Sequence, residues 1–168
     1  MQEGCRIVAL VGVSLLAISN PSAANDWMAV RASELLRERS GSVAVTVGGV
    51  FEAEGKSATG RLSAYCIDNV TVVNIEARDF FLGMSPVQFK YQVDGEAAKT
   101  AQWDACVGGE CMGIWNDKSV AFLRELFDKR ELKVEITRNH HQPITASFHI
   151  SGARTSLEAL ANNCGWKT

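Results

Sequence analysis

The sequence predicts an α+β fold: a mostly antiparallel β-sheet or sandwich, a helix after the middle strands, and a C-terminal helix tied to the sheet by a disulfide. Three observations predict it. Short runs alternate apolar and polar residues between turn residues, most cleanly at 87–93 (VQFKYQV). Two segments, 118–127 and 155–163, switch to helical periodicity. The strands come in runs, without βαβ alternation.

The chain opens with the pattern of an export signal. A short charged stretch ending at Arg6 precedes an apolar run from Ile7 to Ile18, followed by the small residues Ser22, Ala23 and Ala24. The run falls short of the roughly 20 residues that cross a bilayer, and Ser22 and Ala24 suit a peptidase cutting before Asn25. Residues 1–24 are therefore expected to be a cleaved signal peptide and 25–168 a single globular domain. No later stretch is long and apolar enough to span a membrane. The net charge of −2 survives processing because Glu3 and Arg6 leave together, and it gives no electrostatic case for nucleic acid.

Residues 32–39 are helix-like. Residues 42–50 (SVAVTVGGV) read as a strand ending at a Gly-Gly pair, and the polar, glycine-containing 52–60 as a loop. Strands at 61–66 and 71–77 flank Asp68-Asn69, a pair suited to a tight hairpin turn. Strand 87–93 turns at Asp94-Gly95 into a partner at 98–103. Helix 118–127 places Val120, Leu123 and Phe127 on one face, joined by Leu126, with Asp117 as its cap. Strands follow at 132–138 and 145–150. The last helix carries Leu157, Leu160, Ala161 and Cys164 on one face, with Thr155 and Glu158 matching a capping box and Gly165 as the stop.

With Cys5 in the leader, four cysteines remain, an even number that reads as a disulfide framework in an exported chain. Cys106-Val-Gly-Gly-Glu-Cys111 can fold back on itself through its two glycines, which leaves Cys66 to Cys164. Zinc is the rival reading, but the spacings lack paired C-x2-C or C-x4-C knuckles, and a redox pair lacks C-x-x-C.

Few motifs carry chemistry. His140-His141 and His149 invite a metal or catalytic role, but no acidic cluster accompanies them. No G-x-S-x-G elbow, Ser-x-x-Lys or phosphate-binding glycine loop is present, and no cofactor or metal is expected. Asn69-Val70-Thr71 matches a glycosylation sequon. Trp103, Trp115 and Trp166 lie beside the cysteines; they either pack on the disulfides or, in the case of Trp115 and Trp103, help form a binding surface.

The order of these elements also carries a resemblance. A strand ending in Cys66 is followed by Thr71-Val72-Val73-Asn74-Ile75. Then come Phe89-Lys90-Tyr91-Gln92-Val93-Asp94-Gly95 and Gln102-Trp103. After them stand Phe122-Leu123-x-x-Leu126, Leu132-x-Val134-x-Ile136, Ala146-x-Phe148-x-Ile150-x-Gly152 and Leu157-x-x-Leu160-x-x-x-Cys164-Gly165-Trp166. From 42 to 166 the chain resembles the VasI-type proteins, exported bacterial proteins associated in some species with type VI secretion clusters. The resemblance rests most on Cys164-Gly165-Trp166 and the Asp94-Gly95 to Trp103 block; the Cys106–Cys111 loop looks like an addition. It implies no catalytic residues. The expectation is a periplasmic accessory or binding protein of a Gram-negative bacterium, linked to type VI secretion or the cell envelope, whose partner is an envelope or secretion-system protein. The alternatives are a small envelope hydrolase or metal-dependent enzyme using His140 or His141, and a periplasmic inhibitor of a hostile enzyme such as lysozyme.

Overall fold

The computed structural model describes residues 26–31, 43–84, 86–115, 117–138 and 141–168. The expected leader and the helix-like stretch 32–39 lie outside the described residues. The elements are β1 (Trp27–Arg31), β2 (Val43–Ala53), β3 (Lys56–Ile67), β4 (Val70–Glu76), β5 (Val87–Val93), β6 (Lys99–Ala105), β7 (Cys111–Trp115), α1 (Asp117–Glu125), β8 (Glu131–Thr137), β9 (Ile144–His149) and α2 (Ala153–Asn163). Every strand pairing is antiparallel. The spatial order is β1-β2-β3-β4-β7-β6-β5-β8-β9, and β9 pairs back with β2, so β2 to β9 close an eight-stranded barrel.

The long β2 makes closure possible. Its first half, Val43–Val47, pairs with β1 and its second half, Gly49–Glu52, pairs with β9 along the same edge. The handover falls at Gly48-Gly49, where a Cβ on Gly49 would sit 2.4 Å from the Phe148 ring. The Gly-Gly pair thus bends the strand and does not end it. The stretch expected as a loop at 52–60 is the hairpin itself: β2 runs on to Ala53, Glu54 and Gly55 turn at φ 54 and 74, and β3 starts at Lys56. Gly60 is a further close approach, since a Cβ there would lie 2.3 Å from the Glu76 carbonyl oxygen and 2.4 Å from the Phe51 ring. The Asp68-Asn69 turn is as expected, with both residues at positive φ (49 and 63).

The connectivity departs from a simple meander at one place. β4 pairs with β7, not β5, so residues 77–84 cross one end of the barrel on the way to β5. Ala77, Phe80 and Leu82 of this crossing are buried. The Leu82 N–H donates to the Gly109 carbonyl (2.6 Å) and the Ala77 N–H to that of Glu110 (3.1 Å), which anchors it to the β6–β7 loop. Both helices leave the opposite end, after β7 and after β9. Phe122, Leu123, Leu157 and Leu160 join the same apolar cluster as the inward residues of the strands. With Phe51, Phe89, Trp103 and Phe148 all below 2 % exposed, side chains fill the barrel.

Disulfides join Cys66 to Cys164 (Cα–Cα 5.7 Å) and Cys106 to Cys111 (5.2 Å). The first fixes α2 to the end of β3. The C-terminus of α2 closes as expected: Gly165 has φ 75 and the Trp166 N–H reaches the Ala161 carbonyl at 3.0 Å. Its N-terminus does not. The helix begins at Ala153 behind a left-handed Gly152 and has no side-chain cap, so Thr155 and Glu158 lie inside it and form no capping box. The turn from β9 needs the conformational freedom of Gly152, and this sets the boundary two residues earlier.

The slit between β6 and α1 as a candidate functional site

β6 and β7 form a short hairpin paired only at Asp104↔Gly113 and Ala105↔Met112. Continued, the register would set Gln102 opposite Trp115, but the chain turns away into α1 at Asp117. The first half of β6 therefore faces a helix. The slit left between them has a volume of about 550 Å³ and is lined by Gln88, Thr100, Gln102, Ile114, Lys118 and Glu125.

Its floor is aromatic. Phe122 of α1 reaches into the gap and meets Trp103 edge-on (centroids 5.3 Å apart) and Tyr91 (5.2 Å), while Trp103 stacks on Phe89 at 4.1 Å. One polar clamp ties helix to sheet. The Tyr91 hydroxyl donates to Glu125 Oε2 at 2.9 Å, and Lys99 Nζ pairs with the same oxygen at 2.9 Å. Burial, with the Glu125 carboxylate beside it, pushes the Tyr91 hydroxyl well above the usual phenol range, so it stays a donor.

Of the two tryptophans expected to bind, only one is free to do so as the chain stands. Trp103 is 1 % exposed and belongs to the core: its position faces inward on β6, and Phe89 and Phe122 cover its faces. Trp115 is 46 % exposed at the end of β7, on the outer surface beside the slit. It terminates a cross-strand row on the outward face of the sheet, Val30–Ala44–Tyr65–Val72–Trp115, set by four consecutive registers, in which Ala44 and Tyr65 are themselves buried. Trp166 packs against the core cluster that contains Cys66 and Cys164, and its indole N–H donates to Thr71 Oγ1 at 2.9 Å, closing the C-terminus onto β4 beside that disulfide.

The histidines separate. His140 lies outside the described residues, and His141 stands in the β8–β9 loop. His149, at the end of β9, donates from Nδ1 to Asp26 Oδ2 (2.7 Å), and its Nε2 lies 3.4 Å from the Ser151 hydroxyl. Among the described residues no group of three or more His, Cys, Asp or Glu side chains is arranged to hold a metal ion. At the crossing end, Phe81, Met84 and Val107 are exposed around the Cys106–Cys111 loop.

Sequence reasoning missed the slit because it missed β7. CMGIW, with a cysteine and a glycine, gives no alternating signal, and without β7 nothing shows that β6 lacks half a partner. Phe122 entered only through the Phe122-Leu123-x-x-Leu126 pattern and not as part of the helix's apolar face, although it is buried beside Leu123.

No protein-family model matches this chain, and no characterised protein or solved structure is significantly similar to it. Among the described residues no helix is long and apolar enough to cross a membrane.

Proposed function

We propose that this is an exported, periplasmic accessory protein that binds another envelope protein through the β6–α1 slit and the adjoining Trp115, without catalysing a reaction. The observation that carries the reading is the incomplete barrel wall: half of β6 faces a groove with an aromatic floor, and an exposed indole stands beside it. A framework of two disulfides supports the exported setting. The VasI-type residue pattern extends the proposal to a role in type VI secretion or envelope assembly.

Two measurements test it. Intact mass from a periplasmic extract should correspond to a chain beginning at Asn25 and should rise on reduction as both disulfides open; a full-length mass with free thiols contradicts export. Capture from envelope extract should recover a partner with wild type and lose it with Trp115→Ala and Lys118→Glu. Equal recovery by all three removes the slit from the account.

A second reading has one observation in its favour. Asp26, His149 and Ser151 are linked in the order orienting carboxylate, base and nucleophile, which is the connectivity of a hydrolase triad. Ser151 lies in the turn before α2 and is only 7 % exposed, which shields its hydroxyl from a substrate, so binding takes precedence. Labelling of wild type but not Ser151→Ala by a fluorophosphonate probe would move the protein to the hydrolases.

A further inference from the structure

We infer that the open edge of β6 accepts an extended peptide segment of the partner as an added β-strand, with one apolar side chain seated against Phe122 and Ile114. The inference rests on the binding reading above and names its chemistry. It follows from where the main chain of β6 points. The Cys106 N–H donates to the Cys111 carbonyl at 2.8 Å, which makes that pair hydrogen-bonded and fixes the alternation along the strand. Cys106 and Asp104 turn their main-chain groups toward β7, and by the same two-residue period so do Gln102 and Thr100. Lys99, Ala101 and Trp103 turn theirs to β5, opposite Tyr91, Phe89 and Val87.

β7 pairing stops at Asp104, so the N–H and C=O groups of Thr100 and Gln102 meet no strand among the described residues. A helix cannot complete that ladder, because its own main-chain groups bond along its axis. What completes it is another extended main chain, and strand addition is the general way in which proteins use such an edge. The slit's volume of about 550 Å³ lies in the range of roughly 300–1,000 Å³ usual for ligand sites. Its charges narrow the partner further. Glu125 is engaged by Tyr91 and Lys99, whereas Lys118 forms no ion pair among the described residues. The preferred segment therefore carries a bulky apolar residue flanked by an acidic one. Thr100 and Gln102 are themselves exposed, so the approach is open.

The test begins with the free protein. In amide exchange followed by NMR, Thr100 and Gln102 should exchange at least a hundredfold faster than Ala101 and Trp103. A randomised heptapeptide display library is then panned against the full chain. A selected peptide should slow Thr100 and Gln102 exchange at least tenfold on binding. Thr100→Pro removes the slit-side N–H and leaves the β5 ladder intact; it should weaken the peptide at least tenfold while the unfolding temperature stays within a few degrees. Equal protection of all four amides in the free protein overturns the inference, as does a panning that yields no binder. A peptide that binds without protecting Thr100 and Gln102 refutes strand addition but leaves slit binding standing. A concentration-dependent dimer lost in Thr100→Pro assigns the edge to a second copy and also overturns it.

Discussion

Removing the Cys66–Cys164 bridge should cost far more than removing Cys106–Cys111. The two bonds close loops of very different size, with sequence separations of 98 and 5. In the loop-entropy model the long bridge is worth about 4.7 kcal/mol and the short one about 2 kcal/mol. The long bridge also fixes the last element of the fold. It holds α2 against β3, and α2 supplies Leu157 and Leu160 to the core. For a domain near 140 residues the unfolding entropy is about 0.3 kcal/mol/K, so Cys66→Ala/Cys164→Ala should lower the midpoint by about 15 °C. Cys106→Ala/Cys111→Ala should lower it by about 7 °C by the same reckoning. Thermal and urea unfolding of both variants, beside wild type, make the comparison. Equal losses, or a loss below about 1 kcal/mol from the long bridge, would refute the view that α2 is held by a cross-link acting on the unfolded chain.

Three other predictions follow from packing and charge. Gly60→Ala puts a methyl against the Glu76 carbonyl and the Phe51 ring, neither of which can retreat inside a filled barrel, and should destabilise by about 2–3 kcal/mol in urea; a neutral result means that β3 can shift away from Phe51. Ser119 is fully buried in α1 and its hydroxyl has no partner among the described residues, so Ser119→Ala should raise stability by about 1 kcal/mol, and a loss would reveal a bond that the packing does not show. Three carboxylates are held below their ordinary value, Asp128 at the surface by Arg154 and two others by firmer frameworks. Burial works to raise Glu76, but hydrogen bonds and charge from Arg61 and Arg78 outweigh it and hold the group below its ordinary value. Desolvation likewise works to raise Asp94, but hydrogen bonds from the N–H groups of Glu131 and Arg130, with the charges of Arg130 and Lys129, together outweigh it and hold the group low. A depressed folded value means stability that is fully present above the unfolded carboxylate range and lost as pH falls through the folded one. Urea midpoints should hold from pH 7 to about 5 and fall below about 4, less steeply in Glu76→Gln/Asp94→Asn; parallel acid slopes would contradict this.

Much of the barrel was legible because strand alternation reports burial directly. Val87, Phe89, Tyr91 and Val93 are inward, and Leu132, Val134 and Ile136 likewise, as their period of two requires. Turn chemistry fixed Asp68-Asn69 and Asp94-Gly95, whose φ values of 49, 63, 46 and 76 only a few residue types adopt readily. The glycines misled where they serve tertiary contact instead of turning: Gly49 and Gly60 make room for Phe148 and Phe51 from strands distant in sequence. Barrel closure was equally hidden. It depends on one strand, β2, serving two partners on one edge, and no local pattern encodes that. The candidate site was half legible. Trp115 is an exposed indole, at the end of strand β7, whereas Trp103, chosen for the same proximity to a cysteine, is core. The open half of β6 is a property of what β7 fails to cover, and a sequence shows only what is present.

The β6–α1 slit is the surface through which we propose that the chain meets its partner. A photocrosslinking benzoylphenylalanine placed at Gln102, in cells that export the protein, examines that surface directly. The same group at Lys56, exposed on the β2–β3 hairpin at the far end of the barrel, serves as its control. The account predicts one discrete adduct on irradiation from position 102 and none from position 56. Adducts of the same size from both positions, or from 56 alone, would contradict it.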